Sequence, residues 1–215
     1  MTTQLGIYNS VLMELGERAL SSLSEDQPVR YWLDEAWDGN VTAVDYCLGQ
    51  GQWKFAKRAS QLGAEASATP SFGFKYTFLI PSDLIRTAAL CSDERLAVPL
   101  LNYAQEAGYW FTDIDPLYVA YISNDVNYGG DMDRWPAEFV RFIEAYLAGK
   151  IVIRLTEDRE TWKRVKALEG QFLREARSRD ALEGPTVFPP EGSWVAARLT
   201  GGRDRDRGSR SKLIG

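Results

Sequence analysis

Histidine is absent from the sequence, and that removes Ser-His-Asp and Cys-His catalysis, His-ligated zinc and the imidazole proton shuttle. The two cysteines, Cys47 and Cys91, stand in no paired metal or redox spacing. They read as small core residues in a reducing compartment, with a disulfide as the alternative. Asp125-Val-Asn127-Tyr-Gly129-Gly130-Asp131-Met-Asp133 begins like a calcium loop, with oxygen side chains at positions 1, 3, 7 and 9 and glycine at position 6. Position 5 is Gly129, however, and Pro136 stands at position 12, where a bidentate glutamate is needed. A polar turn before a helix is the stronger reading and calcium the weaker one. Asp113 and Asp115 flank Ile114 and would share one face of a strand as a carboxylate pair; a solvated turn before Pro116 competes with that. No glycine-rich phosphate loop occurs, and no nucleophile has a base beside it in the chain. By elimination the chain is expected not to be an enzyme, with no catalytic, cofactor-binding or metal-binding residues.

Charge is unevenly placed. The net charge over 215 residues is −5, while residues 198–215 carry six basic groups against Asp204 and Asp206, a net of +4, which leaves −9 on residues 1–197. An acidic body does not suit a nucleic-acid clamp, which needs a basic face; it suits a surface past which a polyanion slides without sticking. A chain of 215 residues can bury enough surface to fold without a disulfide or metal, and 45% hydrophobic residues exclude a wholly disordered chain. Nothing at the N-terminus resembles a signal peptide and no apolar run reaches membrane-spanning length, so no membrane partner is expected. The expected location is inside a cell or inside something assembled there.

The elements expected to hold these residues begin with a helix over Thr2–Gly16. Thr2 or Thr3 caps it, Leu5, Tyr8, Leu12 and Leu15 line one face, and Gly16 ends it. Pro28 opens a second helix running to about Gly49, with Gly39-Asn40 as a weak point in its middle. The period then changes to two. Phe74–Ile80, Leu84–Leu90, Ala97–Leu101, Tyr109–Phe111 and Leu117–Ile122 read as short strands. Leu117–Ile122 is apolar throughout, so it is either central in a sheet or covered by a neighbouring subunit. Pro136 opens a third helix on which Phe139, Ile143, Leu147 and Ile151 repeat every four residues. A short reversal at Leu155–Asp158 leads to a fourth helix ending at Gly184-Pro185. The expected fold is mainly α: a four-helix bundle over residues 1–184, with one small antiparallel sheet (about 72–123) inserted between helices 2 and 3. Residues 185–215 form an extended C-terminal tail. Trp194, Val195, Leu199, Leu213 and Ile214 are large apolar residues in a polar, Arg/Gly/Ser-rich run, which points to ordering against a partner, against the alternative of a solvated end.

Several of these segments, in order, resemble the head-to-tail adaptor proteins of tailed bacteriophages, the group that includes the tail tubular protein A-like connectors. They are Ile7-Tyr8-Asn9-Ser10-Val11-Leu12-Met13-Glu14-Leu15-Gly16-Glu17, Gly51-Gln52-Trp53-Lys54-Phe55-Ala56, Phe74-Lys75-Tyr76 with Ile80-Pro81-Ser82-Asp83-Leu84-Ile85-Arg86, Leu117-Tyr118-Val119-Ala120-Tyr121-Ile122, Trp135-Pro136-Ala137-Glu138-Phe139 and Ala176-Arg177-Ser178-Arg179-Asp180. The resemblance spans about residues 5–182. It implies a virion protein at the head–tail junction, assembled in the host cytoplasm as a ring, usually of twelve copies. Its partners would be the portal protein above it, a tail or neck protein below it and further copies of itself. DNA would pass through the channel only in transit. It further implies a C-terminal segment that reaches onto the portal. Trp194, Leu199, Leu213 and Ile214 would then be apolar anchors, while Arg198, Arg203, Arg205 and Arg207 pair with acidic groups of the portal.

Two other classes remain open on sequence. One is a nucleic-acid-binding module using the basic tail, which predicts steeply salt-dependent binding to bare DNA. The other is a carboxylate-dependent cell-wall hydrolase, which predicts turnover lost with one Asp or Glu pair. A different ring of the same neck is a nearer alternative.

Overall fold

The computed structural model describes residues 2–65, 70 and 73–184. Its first helix obeys the local signals closely. α1 (Gln4–Leu15) is capped by Thr3, whose hydroxyl accepts the Gly6 N–H at 3.1 Å, and Gly16 ends it in the left-handed region at φ 78°. Ile7, Tyr8, Val11 and Leu12 are buried.

The second expected helix is two helices. α2 (Pro28–Trp37) closes when the Asp38 N–H bonds Asp34 O, and α3 (Ala43–Gly49) starts afresh at Thr42, whose Oγ1 accepts the Asp45 N–H at 3.0 Å. Gly39-Asn40 supplies poor helix formers where the chain bends, and Thr42 then offers a cap that a continuous helix would waste.

After α3 the chain forms β1 (Lys57–Leu62), β2 (Tyr76–Leu79), β3 (Leu84–Cys91), β4 (Ala104–Glu106), β5 (Tyr109–Thr112) and β6 (Leu117–Ser123). These make two antiparallel three-stranded sheets, ordered β1-β6-β3 and β2-β5-β4. α4 (Ala137–Thr156) and α5 (Arg159–Leu182) complete the described residues. The expectation of a four-helix bundle with one small inserted sheet is therefore corrected. Among the described residues there are five α-helices and two sheets, a mixed α/β fold.

Two causes lie behind that correction besides the split helix. β1 begins at residue 57, well before the expected β region, and its residues Lys-Arg-Ala-Ser-Gln-Leu carry no apolar alternation; its order comes from in-register pairing with β6, from Lys57 opposite Ile122 to Leu62 opposite Leu117. Ala97–Leu101, expected as a strand, makes only an isolated bridge between Pro99 and Cys91, and Leu101 is 92% exposed. A proline has no N–H to continue a ladder.

β6 is the hinge of the packing. It is the central strand of its sheet, and both of its faces are covered, which accounts for its unbroken apolar run. Ile122 joins the helical core with Trp53, Phe139 and Ile143, while Leu117, Val119 and Tyr121 join a second cluster with Phe78, Leu90 and Trp110.

α4 is buried on most of its circumference: Phe139, Phe142, Ile143, Tyr146, Leu147 and Ile151 are all inside. α5 returns antiparallel to it, so that Arg179 near its end reaches Glu138 at the start of α4, at 4.0 Å. At the turn, Asp158 accepts the N–H groups of Glu160 and Thr161 and so caps α5. The far end of α5 is held by Lys54, whose ammonium donates to the carbonyls of Asp180 and Ala181, a cation on a helix C-terminus. Every described helix and strand lies in one compact unit ending at Ala181, apart from the last residue of α5.

Candidate functional site

Trp194, Arg198, Leu199, Arg203, Arg205, Arg207, Leu213 and Ile214, the residues expected to meet a portal, lie outside the described residues. The other sequence constellations have clear structural employment. In the Asp125–Asp133 loop, Asp125 Oδ1 accepts the Asn127 N–H at 2.8 Å, and Asp131 Oδ1 accepts the Asp133 N–H while its other oxygen pairs with Arg134 at 3.0 Å. Gly129 is there for space: a methyl on it would meet Ser123 O at 2.3 Å and Leu48 Cδ1 at 2.8 Å. Among the described residues no three carboxylates or thiols converge on one point. Asp113 accepts from the Lys75 N–H and Asp115 from the Ala64 N–H, each at 3.2 Å, so the two acids brace different segments. Cys47 and Cys91 are both free and buried, and burial pushes both thiols up, Cys47 well above the usual range.

Two motifs far apart in the chain meet around one ring. Phe139, at the start of α4, lies 4.9 Å from the Trp53 ring, 4.8 Å from Phe55 and 5.4 Å from Trp135, all edge-on. Trp53 donates its ring N–H to Cys47 O at 3.1 Å and Trp135 donates to Gly129 O at 2.9 Å, so each buried indole is satisfied. Gly51 lets Trp53 fold back, since a methyl there would stand 2.6 Å from the ring.

One cavity stands out for its chemistry. It has a volume of about 550 Å³ and is walled by α2, the bend after it, α3, α4 and α5. Tyr46 and Tyr146 of its lining stack at 4.4 Å and 18°, Tyr46 exposed and Tyr146 buried behind it, and Trp32 lines it as well. Three cations line it, namely Lys150, Arg154 and Lys166. Arg154 pairs with Glu35 at 2.6 Å and Lys166 with Glu169 at 2.5 Å. Lys150 has no such carboxylate among the described residues; its ammonium lies 5.2 Å from the Tyr146 ring centre. The Arg154 hydrogen bond and charge hold the Glu35 carboxyl below its usual range. Burial first, then the neighbouring Cys47 and Tyr46, push the Tyr146 hydroxyl up to about 12, so it stays protonated. Nothing in this lining sets a nucleophile against a base, and its chemistry is that of holding an anion beside a flat apolar group.

The cavity exists because the second helix breaks. The bend residues Gly39, Asn40 and Val41 form one rim, and a continuous helix would carry no such recess. Sequence reading missed it. The one linear trace is Tyr146, Lys150 and Arg154 at successive four-residue spacings on α4, whereas Trp32, Tyr46 and Lys166 reach the site only through tertiary packing. In comparisons with known proteins, no family model matches the chain and no curated protein matches it.

Proposed function

We propose that this chain is a structural component of a bacteriophage head–tail junction, a ring-forming adaptor between the portal and the tail. The observation that carries the reading is the ordered set of motifs from Ile7 to Asp180 that resembles such adaptors. Two of those motifs, Gly51–Ala56 and Trp135–Phe139, pack on each other around Phe139. Charge supports it as well: −5 overall less +4 in residues 198–215 leaves −9 on residues 1–197, which would not grip DNA moving through a channel. Exposed apolar side chains on the sheet side, Leu79, Val98 and Leu101, are of the kind a neighbouring subunit or tail protein covers. In this reading Trp194, Leu199, Leu213 and Ile214 anchor on the portal, and Arg198, Arg203, Arg205 and Arg207 pair with its acidic groups.

Co-sedimentation with the cognate portal protein tests this, comparing the full chain with a version stopped at Gly184. The expected result is that the full chain sediments with the portal and the shortened one stays behind. Binding by both would move the contact to residues 1–184. Binding by neither, over several salt concentrations, would refute the adaptor role.

A further inference from the structure

The ring reading makes no use of the cavity between α2, α3, α4 and α5, yet that cavity carries an unspent cation in a strongly acidic molecule. We propose that it is a docking site for a short acidic segment of a partner protein, seating an aromatic or proline side chain against Trp32 and Tyr46 with a carboxylate on Lys150. The volume of about 550 Å³ lies within the ordinary range of ligand pockets. Its lining runs along α4, which suits an extended chain. Tyr146, Lys150 and Arg154 follow one another along one face of α4, and eight residues of helix advance about 12 Å, the reach of three to four extended residues.

Charge selects a carboxylate over a nucleic acid. Arg154 and Lys166 are already met by Glu35 and Glu169, so Lys150 is the uncompensated cation of this lining. A phosphodiester chain needs several such cations, and this lining leaves one. One carboxylate needs one lysine. Trp32 and the exposed Tyr46, backed by the buried Tyr146, then give a flat apolar group a surface on which to lie, at low entropic cost for the rigid side chains involved. This inference is independent of the ring reading and stands or falls by a different experiment.

The test pans a random-peptide display library on the immobilised full chain and on its Lys150→Glu variant. Lys150 is exposed, so the charge reversal should leave the melting temperature unchanged, and Lys150→Gln gives a milder second variant. The expected result is enrichment, on the natural chain, of peptides with Asp or Glu within four positions of an aromatic residue or proline. A synthetic copy of the most enriched peptide should bind Lys150→Glu at least tenfold more weakly and Lys150→Gln several-fold more weakly, and should lose affinity in about 0.5 M salt as charge pairs are screened. No enrichment, equal enrichment on Lys150→Glu, or enriched peptides without acidic residues would overturn the proposal. So would a twelve-base-pair duplex that binds in a Lys150-dependent way when no acidic peptide does, which would reassign the cavity to nucleic acid.

Discussion

Gly129, Asp83 and Glu144 show how single residues divide between packing and charge. Gly129 fills a place where any Cβ collides with Ser123 O and Leu48. Gly129→Ala should therefore destabilise the fold by about 1–3 kcal/mol, read as a lowered urea midpoint, because overpacking forces its neighbours apart. Asp83 sits between β2 and β3, accepting Ser123 Oγ at 2.5 Å and Arg58 Nη1 at 2.9 Å, with Tyr121 OH at 3.2 Å. Burial opposes its ionisation, but the Ser123 and Arg58 hydrogen bonds outweigh that and hold its carboxyl below the usual range. A depressed folded-state value means stability that is present above the unfolded carboxylate's pKa of about 3.9 and lost as pH falls through the folded value. Asp83→Asn should cost about 1–2 kcal/mol at pH 7 and much less near pH 2. Glu144, on α4 beside Ser10 and Glu14 of α1, behaves oppositely. Burial pushes its carboxyl up, with Glu14 adding to it against the Ser10 hydrogen bond and Arg141. Its contribution is favourable below the unfolded carboxylate range and is lost as pH rises through the raised value. Glu144→Gln should unfold later than the natural chain at pH 7, with the advantage shrinking toward pH 4.

At the scale of elements, legibility followed how far each element's order is written in its own residues. α1 was readable from Thr3 to Gly16 because both caps are local, and α4 from Phe139, Ile143, Leu147 and Ile151 because its burial repeats at the helical period. β6 was readable as a buried strand from Leu117–Ile122, though not that its two faces would serve two different clusters. β1 was not readable at all, since Lys57–Leu62 is ordered by β6 and not by its own pattern. The α2–α3 break was visible as Gly39-Asn40, but the competition between helix continuation and the Thr42 cap is decided by only about 1 kcal/mol on either side. Thr42→Ala should cost about 1 kcal/mol of stability, measured by thermal or urea unfolding, since the Asp45 N–H loses its partner. The cavity needs that break together with Trp32, Tyr46 and Lys166, which only tertiary packing brings to it, and so was not legible. The portal-binding role of residues from Trp194 to Ile214 rests on the resemblance, and these residues lie outside the described residues. Phe139 stands at the centre of edge-on contacts from Trp53, Phe55 and Trp135. Phe139→Ala should cost about 3–5 kcal/mol, the usual range for emptying a packed aromatic site.

For the whole molecule the governing quantity is charge. The net −5 splits into +4 on residues 198–215 and −9 on the rest. In the proposed ring, copies side by side would repel at low salt, and closure would need screening or a portal to act as template. Raising the salt from about 0.01 M to about 0.15 M shortens the screening length from about 30 Å to about 8 Å. Sedimentation velocity of the free chain should accordingly show more self-association at the higher salt. The most direct test of the adaptor account is native mass spectrometry of the full chain mixed with assembled cognate portal. The account predicts a complex carrying a closed set of copies on each portal ring, twelve on a twelve-fold portal. A portal that remains bare, or that binds isolated copies without filling its ring, would contradict it.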